Sequence, residues 1–296
     1  MTKLTEQNNI SIVEIVYYAP ALVFAGILCW RHGFGRSAGW FYLIVLSLIR
    51  ILGGCLQLAT ISSPANVNLL VGAQTLQSIG LSPLILVLLG FVSRIYSALP
   101  SNAQPALPNT RVLRLLQILV MVGLILTIVG GVNTGDQISD ALAAGQPLQY
   151  TVASESKGGI GCMIAGFVLL LLSALVLSGS YGRMPYSEQR LLLAVGLAAP
   201  FVLVRLIYSI LVAFSHNPSF RQYGGAPDAA NYVAGMCVAM EFAAVAIFEV
   251  AGMSIAYVPH KERQAILPGA RTAEAHNLTA YQGHGGPQYP KQVETV

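Results

Sequence analysis

The sequence predicts an all-α fold: a polytopic membrane protein, a bundle of seven transmembrane helices with the N-terminus outside and the C-terminus in the cytosol. Three observations carry that expectation. Of the 296 residues 55% are apolar and only 9% charged, the apolar residues gather into runs of about 20, and the cations crowd onto one side of the alternating connections. A mean hydropathy of +0.65 lies outside the range of ordinary water-soluble domains.

A helix rises about 1.5 Å per residue, so roughly 20 apolar residues cross about 30 Å of hydrocarbon. In chain order the expected spans are Ile10–Trp30, Trp40–Thr60, Val67–Tyr96, Leu113–Val132, Gly158–Ser178, Leu191–Phe214 and Asn231–Tyr257. The first has a long apolar core, only Lys3 against Glu6 before it, and Arg31 and Arg36 after it, which reads as a retained span and not a cleaved signal. The third is over-long, which predicts tilt or a kink near Pro83. Pro20 and Pro200 fall inside the first and sixth spans, where a bundle can re-satisfy the backbone groups they free. Gly158, Gly159, Gly161, Ala165 and Gly166 in the fifth span predict close helix packing.

The organisation follows. Residues 1–9 form a short outer N-terminus, 10–257 the seven-helix domain, and 258–296 a cytosolic tail whose Gly, Pro, Gln and His content and lack of apolar period predict disorder. Two longer outer connections are expected at Thr134–Lys157 and Ser215–Ala230. Orientation rests on ten inner cations, Arg31, Arg36, Arg94, Arg111, Arg114, Arg183, Arg190, Lys261, Arg263 and Arg271, against Lys3, Lys157 and Arg221 outside. The expected location is the plasma membrane or an endomembrane.

Inside the spans stand Glu14, Arg50, Gln57, Gln74, Gln77, Arg205 and Glu241, with Glu249 closer to the inner face. A charge at the bilayer centre costs at least a few kcal/mol, so such residues face the bundle interior and find partners. Arg50 lies about ten residues from the inner edge of its span and Glu241 about ten from the outer edge of its own, so both fall near the midplane. Arg205, about fourteen residues into its span, is at a depth compatible with an ion pair to Glu241. Arg50 has two candidate arrangements, sharing Glu241 or using Gln74 and Gln77, which lie about one turn apart on one face. The spans with a central arginine and those with Gln77 and Glu241 are each four helices apart, the pattern of a parallel repeat.

Three readings of these residues stand side by side. They suit interhelical contacts that fix register without a ligand. They equally suit a mid-depth pocket of Arg50, Gln74, Gln77, Arg205 and Glu241 that binds an anionic or hydroxylated lipid-like molecule, the arginines serving as forks for carboxylate, phosphate or sulfate. The third is a proton-coupled carboxylate at Glu241.

Absences narrow the field further. His32, His216, His260, His276 and His284 all fall in expected connections or the tail, which leaves no pair for a haem. No span holds a lysine for a retinal Schiff base. No GxxxxGK[ST], GxGxxG after a strand, or HExxH motif occurs, which argues against a nucleotide-driven pump and a zinc protease. Cys29, Cys55, Cys162 and Cys237 lie in spans without a CxxC pair and read as packing residues. No catalytic residue, metal site or cofactor is expected. The net charge of +4 is accounted for by the inner connections, so the expected partners are membrane lipids and an amphipathic small molecule, not nucleic acid.

The stretches LSLIRILGGCLQ around Arg50, VRLIYS around Arg205 and MEFAAVAIFEVAG around Glu241, with the seven-span layout, resemble the small seven-helix integral membrane proteins of filamentous fungi over roughly residues 10–260. Fungal lipid-translocating exporters are similar in helix count and topology, although their acidic and aromatic signatures have no clear counterpart here. Membrane-bound terpene cyclases are also similar in helix count, and that resemblance would make Glu14 or Glu241 an acid. A general acid must hold its proton, however, and a carboxylate beside an arginine favours the ionised form. The likeness therefore implies a protein that binds, transports or senses a lipid-like or amphipathic molecule, with a cyclase-like enzyme and a seven-helix receptor as alternatives.

Overall fold

The computed structural model describes residues 5–32, 38–63, 66–100, 104–105, 108–143, 152–215, 217–220 and 228–255. Among them the regular elements are all helical: α1 Glu6–His32, α2 Ala38–Ala59, α3 Val67–Ile79, α4 Leu81–Ala98, α5 Thr110–Ala143, α6 Ser154–Ser178, α7 Tyr186–Phe214, α8 Ala229–Tyr232 and α9 Met240–Ser254. A π-helical segment, Val233–Ala239, joins α8 to α9. Seven stretches are long and apolar enough to cross a membrane, one for each expected run, with α3 and α4 together making the third and α8, the π segment and α9 the seventh. The expected tail, 258–296, lies outside the described residues.

The third stretch is the hub. In its most apolar part 72% of the residues are buried, where the others have 28–50%, and α4 packs against α2, α5, α6 and α7. Its apolar residues run without a polar stripe from Leu84 to Leu89, which is the signature of a helix surrounded on all sides. The surrounding helices turn large apolar side chains outward, among them Val16, Trp30, Leu175 and Val250. Trp40 at the start of α2 is fully buried, its ring stacked on His32 and tilted against Phe91, which in turn meets Phe248 edge-on. A Cβ on Gly252 would overlap the Trp40 ring, so only glycine lets α9 come this close.

The structure meets the expectation of a break near Pro83 and departs from other expectations. The interruption of the third stretch lies at Gly80, three residues before Pro83. Proline lacks an N–H and its ring obstructs the carbonyl four residues back. Here that carbonyl belongs to Ile79, and the Ser82 hydroxyl donates to it at 2.9 Å instead. The expected loop from Thr134 is helical as far as Ala143, and α6 starts at Ser154, ahead of the expected Gly158. Hydropathy marks where apolar residues stop, whereas Asp136 and Asp140 are free to continue a helix into polar surroundings. His32, expected in a connection, is buried at the end of α1 with a ring nitrogen 3.3 Å from the Gly252 carbonyl. Cys55, expected to pack inside, is exposed.

Helices α5 and α6 pack closely through glycines. A Cβ on Gly159 would lie 2.6 Å from the Thr127 hydroxyl and 2.7 Å from the Gly123 carbonyl, and one on Gly130 would overlap Ser156. Gly159 and Gly166 meet α5 in this way, while Gly161 faces open space.

Candidate functional site

Halfway along the bundle, five helices each send a polar group to one point. Arg50 comes from the middle of α2, Arg205 from α7, Glu14 from α1, Gln77 from the last turn of α3, and Glu241 from the first turn of α9. Glu241 is 0% exposed, Arg50 1%, Arg205 2% and Glu14 2%. Ionised side chains so buried are tolerated only when paired and fully hydrogen-bonded.

Glu241 is the centre. Arg50 grips it as a fork, donating from Nε to Oε2 at 2.7 Å and from Nη2 to Oε1 at 2.5 Å. Arg205 donates from Nε to the same Oε1 at 2.8 Å, and the Tyr18 hydroxyl donates to Oε2 at 3.2 Å. Both oxygens of the carboxylate thus accept two hydrogen bonds. Sharing Glu241 and using Gln77, the two arrangements open to Arg50, occur together: its Nη1 also donates to the Gln77 side-chain oxygen at 2.5 Å. Glu14 completes the charge balance, with Oε1 3.8 Å from Arg50 Nη1 and accepting from Gln77 Nε2 at 3.1 Å. Two cations face two carboxylates.

The interruption at Gly80 builds part of this site. A helix end leaves its last carbonyls without intrahelical partners, and those carbonyls carry the negative end of the helix dipole. The Gln77 carbonyl, in the last turn of α3, accepts from Arg50 Nη1 and from Arg205 Nη2, each at 3.2 Å. Gly80 itself makes room for the charge, because a Cβ there would overlap the Arg50 guanidinium. The seventh stretch is modified at the matching place, its π segment ending just before Glu241. Isolated π turns occur often at functional sites.

A cavity of about 100 Å³ adjoins the cluster between α3, α5, α6, α7 and the π segment. Most of its wall is apolar, including Val71, Leu81, Met163 and Val233, and its polar residues include Gln74, Gln77, Arg205 and Ser209, with hydroxyls such as Thr127 and Ser156 on the α5–α6 side. Arg205 donates from Nη1 to Ser209 at 2.6 Å. With its bonds to Glu241 and Gln77 this occupies three of the five N–H groups of a guanidinium.

The five expected site residues thus take two positions. Arg50 and Glu241 stand behind the cavity and do not line it, whereas Gln74 lines it. Gln77 and Arg205 belong to both. Gln57 is elsewhere, donating to Asn8 at 3.2 Å, and Glu249 Oε1 is buried without a partner among the described residues. Sequence reasoning missed Tyr18 and Ser209. Each sits four residues, or about one helical turn, beyond a deep charge, Glu14 and Arg205 respectively, a spacing that would have found both.

A family model described as a domain of unknown function, DUF7702, matches residues 4–258. The chain belongs to that family. No curated protein and no solved structure matches it. The DUF7702 match runs from before α1 to beyond α9, so the cluster and the cavity lie within the domain that defines the family.

Proposed function

We propose that this DUF7702 protein is an integral, multi-pass membrane protein that binds a lipid-like or amphipathic molecule, for transport or sensing, in the cavity beside Arg205. The observation that carries this reading is the meeting of an apolar wall with Gln74, Gln77, Arg205 and Ser209. The apolar outer faces of the bundle support the membrane part, since exposed patches on that scale are not stable in water. Because Arg50 and Arg205 are already neutralised by Glu241 and Glu14, the ligand head is neutral or weakly acidic, a hydroxyl or carbonyl, and not a strong anion. About 100 Å³ is below the roughly 150 Å³ of an apolar cavity that takes up benzene. The head and first carbons enter, and the rest of the chain stays outside.

The interruptions beside Gln77 and before Glu241 resemble the discontinuous helices of transporter binding sites. The likeness to fungal seven-helix proteins and to lipid-translocating exporters belongs to the same reading. Glu241 is disfavoured as the acid of a cyclase because it accepts hydrogen bonds on both oxygens, which suits an ionised carboxylate and not an acid. The N-terminus is taken to lie outside, and sugar on Asn277, in the sequon Asn277-Leu278-Thr279, would reverse that orientation.

Thermal unfolding of the purified full chain in detergent tests the site. Hexadecanol at saturating concentration raises Tm, hexadecane does not, and Val212→Phe, which narrows the cavity, removes the shift. No shift in the parent protein, or the same shift in Val212→Phe, rejects the assignment.

A further inference from the structure

A second cavity, about 210 Å³, lies at the end of the bundle where α4 finishes and α5 begins. Its floor is apolar, formed by Leu86 and Leu89 of α4 and Leu113 of α5, all buried. Its rim is polar, with Tyr42 of α2, Ser93 of α4, and Thr110, Arg114 and Gln117 of α5.

The rim is one of donors. Gln117 Nε2 donates to the Tyr42 oxygen at 2.8 Å, which leaves the Tyr42 O–H free to point elsewhere. Ser93 and Thr110 add hydroxyls, and Arg114 a guanidinium. The inward-facing arginines of the bundle, Arg50, Arg94 and Arg205, each have a glutamate within 4.0 Å. Arg114 is exposed and, like Arg111 and Arg183, has no carboxylate within 4.0 Å among the described residues, and none of the carboxylates of those residues lines the cavity. A cation, several hydroxyls and three buried leucines thus line one space, with no anion among the described residues that line it. That combination suits an oxyanion carried on hydrocarbon.

The geometry points to this cavity as a binding site for the phosphate head of an anionic phospholipid. Arg114 and the rim hydroxyls hold the phosphate oxygens, and the first acyl carbons rest on the leucine floor. The place in the bundle agrees, because the polar lining lies within about two turns of helix ends, Tyr42 near the start of α2, Ser93 near the end of α4 and Thr110, Arg114 and Gln117 at the start of α5, which suits a headgroup near the bilayer surface. The positive N-terminal end of α5 adds to the attraction. The apolar floor favours a lipid over a free phosphate ester, which would leave that floor uncovered.

This inference rests on the membrane reading above and is independent of the mid-bundle cavity. Its test is native mass spectrometry, with parallel thermal unfolding, of the full chain in neutral detergent titrated with dioleoyl phosphatidic acid, dioleoylglycerol or inorganic phosphate. The expected result is retention and a raised Tm with phosphatidic acid alone. Arg114→Gln, at an exposed position that leaves the fold intact, weakens this binding roughly tenfold, as the loss of one charge-assisted contact does. Ser93→Leu, which fills the cavity from the opposite wall, weakens it as well. Arg183→Gln, an exposed cation outside the cavity, stays within about twofold of the parent. The hexadecanol shift persists in Arg114→Gln, so failure of one site is distinguishable from failure of the other. The assignment is overturned by equal responses to dioleoylglycerol or inorganic phosphate, by parent-like binding in Arg114→Gln, or by an equal loss in Arg183→Gln.

Discussion

Two buried ion pairs in this bundle use the same chemistry with different completeness. In the middle, both oxygens of Glu241 are used, and the surrounding donors come from α1, α2 and α7. Near the end of α4, Arg94 donates from Nε and Nη2 to a single oxygen of Glu188 on α7, at 3.2 and 3.1 Å. Glu188 Oε2 and Arg94 Nη1 are buried and without a partner among the described residues. The exposures follow the same order, 1% for each side chain of the Arg50–Glu241 pair against 11% and 7% for Arg94 and Glu188. Depth explains the contrast. A charge far from water has to be satisfied entirely by protein, whereas one near a helix end is within a short excursion of solvent. The middle cluster therefore fixes the mutual register of five helices, while the end pair ties only α4 to α7.

The strongest way to break this contrast is Glu241→Gln, which leaves two buried guanidinium groups with Glu14 as their sole carboxylate. Removing one partner of a buried pair costs about 3–5 kcal/mol, so the expected outcome is loss of the monodisperse peak in size-exclusion chromatography. Arg50→Leu follows closely, at about 3 kcal/mol, because Glu241 keeps Arg205. It is read as a drop in Tm relative to Arg205→Leu, which removes fewer bonds and costs less. Gly80→Ala pushes a methyl group into the Arg50 guanidinium and costs about 1–3 kcal/mol by overpacking; a Tm equal to that of the parent would mean that Arg50 has room to move. Glu188→Gln is expected to cost only about 1–2 kcal/mol, since the pair it breaks is already incomplete. Should Glu188→Gln unfold the protein as readily as Glu241→Gln, the distinction between the two pairs disappears. Smallest of all, Gln74→Leu lowers Tm by less than Glu188→Gln does, while reducing the hexadecanol shift.

The helices were legible because a span needs a long apolar run, and the deep polar residues were legible because nothing else in such a run is polar. Counting residues from the span edges was enough to set Arg205 and Glu241 at one depth. Counting gives no rotation about the helix axis, however, so it did not separate Gln77, which turns into the cluster, from Gln74, which turns onto the cavity wall. Nor did it reveal Gly80, whose importance lies in the absence of a side chain where Arg50 needs space. Pro83 gave a cue to the break, but its effect is felt at the carbonyl four residues earlier. The helical extension of α5 beyond Val132 was hidden because hydropathy falls with polarity and not with loss of helix.

The π segment from Val233 to Ala239 makes the seventh stretch tolerant of a one-residue shortening in a way ordinary helices are not. A π turn holds one residue more than an α-helical turn, so removing a single residue, such as Gly235, and letting the segment relax to α-helix at about 100° per residue would leave Glu241 facing both arginines. A genetic lesion that deletes one codon along Val233–Ala239 would therefore act on the charge cluster more mildly than replacing Glu241 itself.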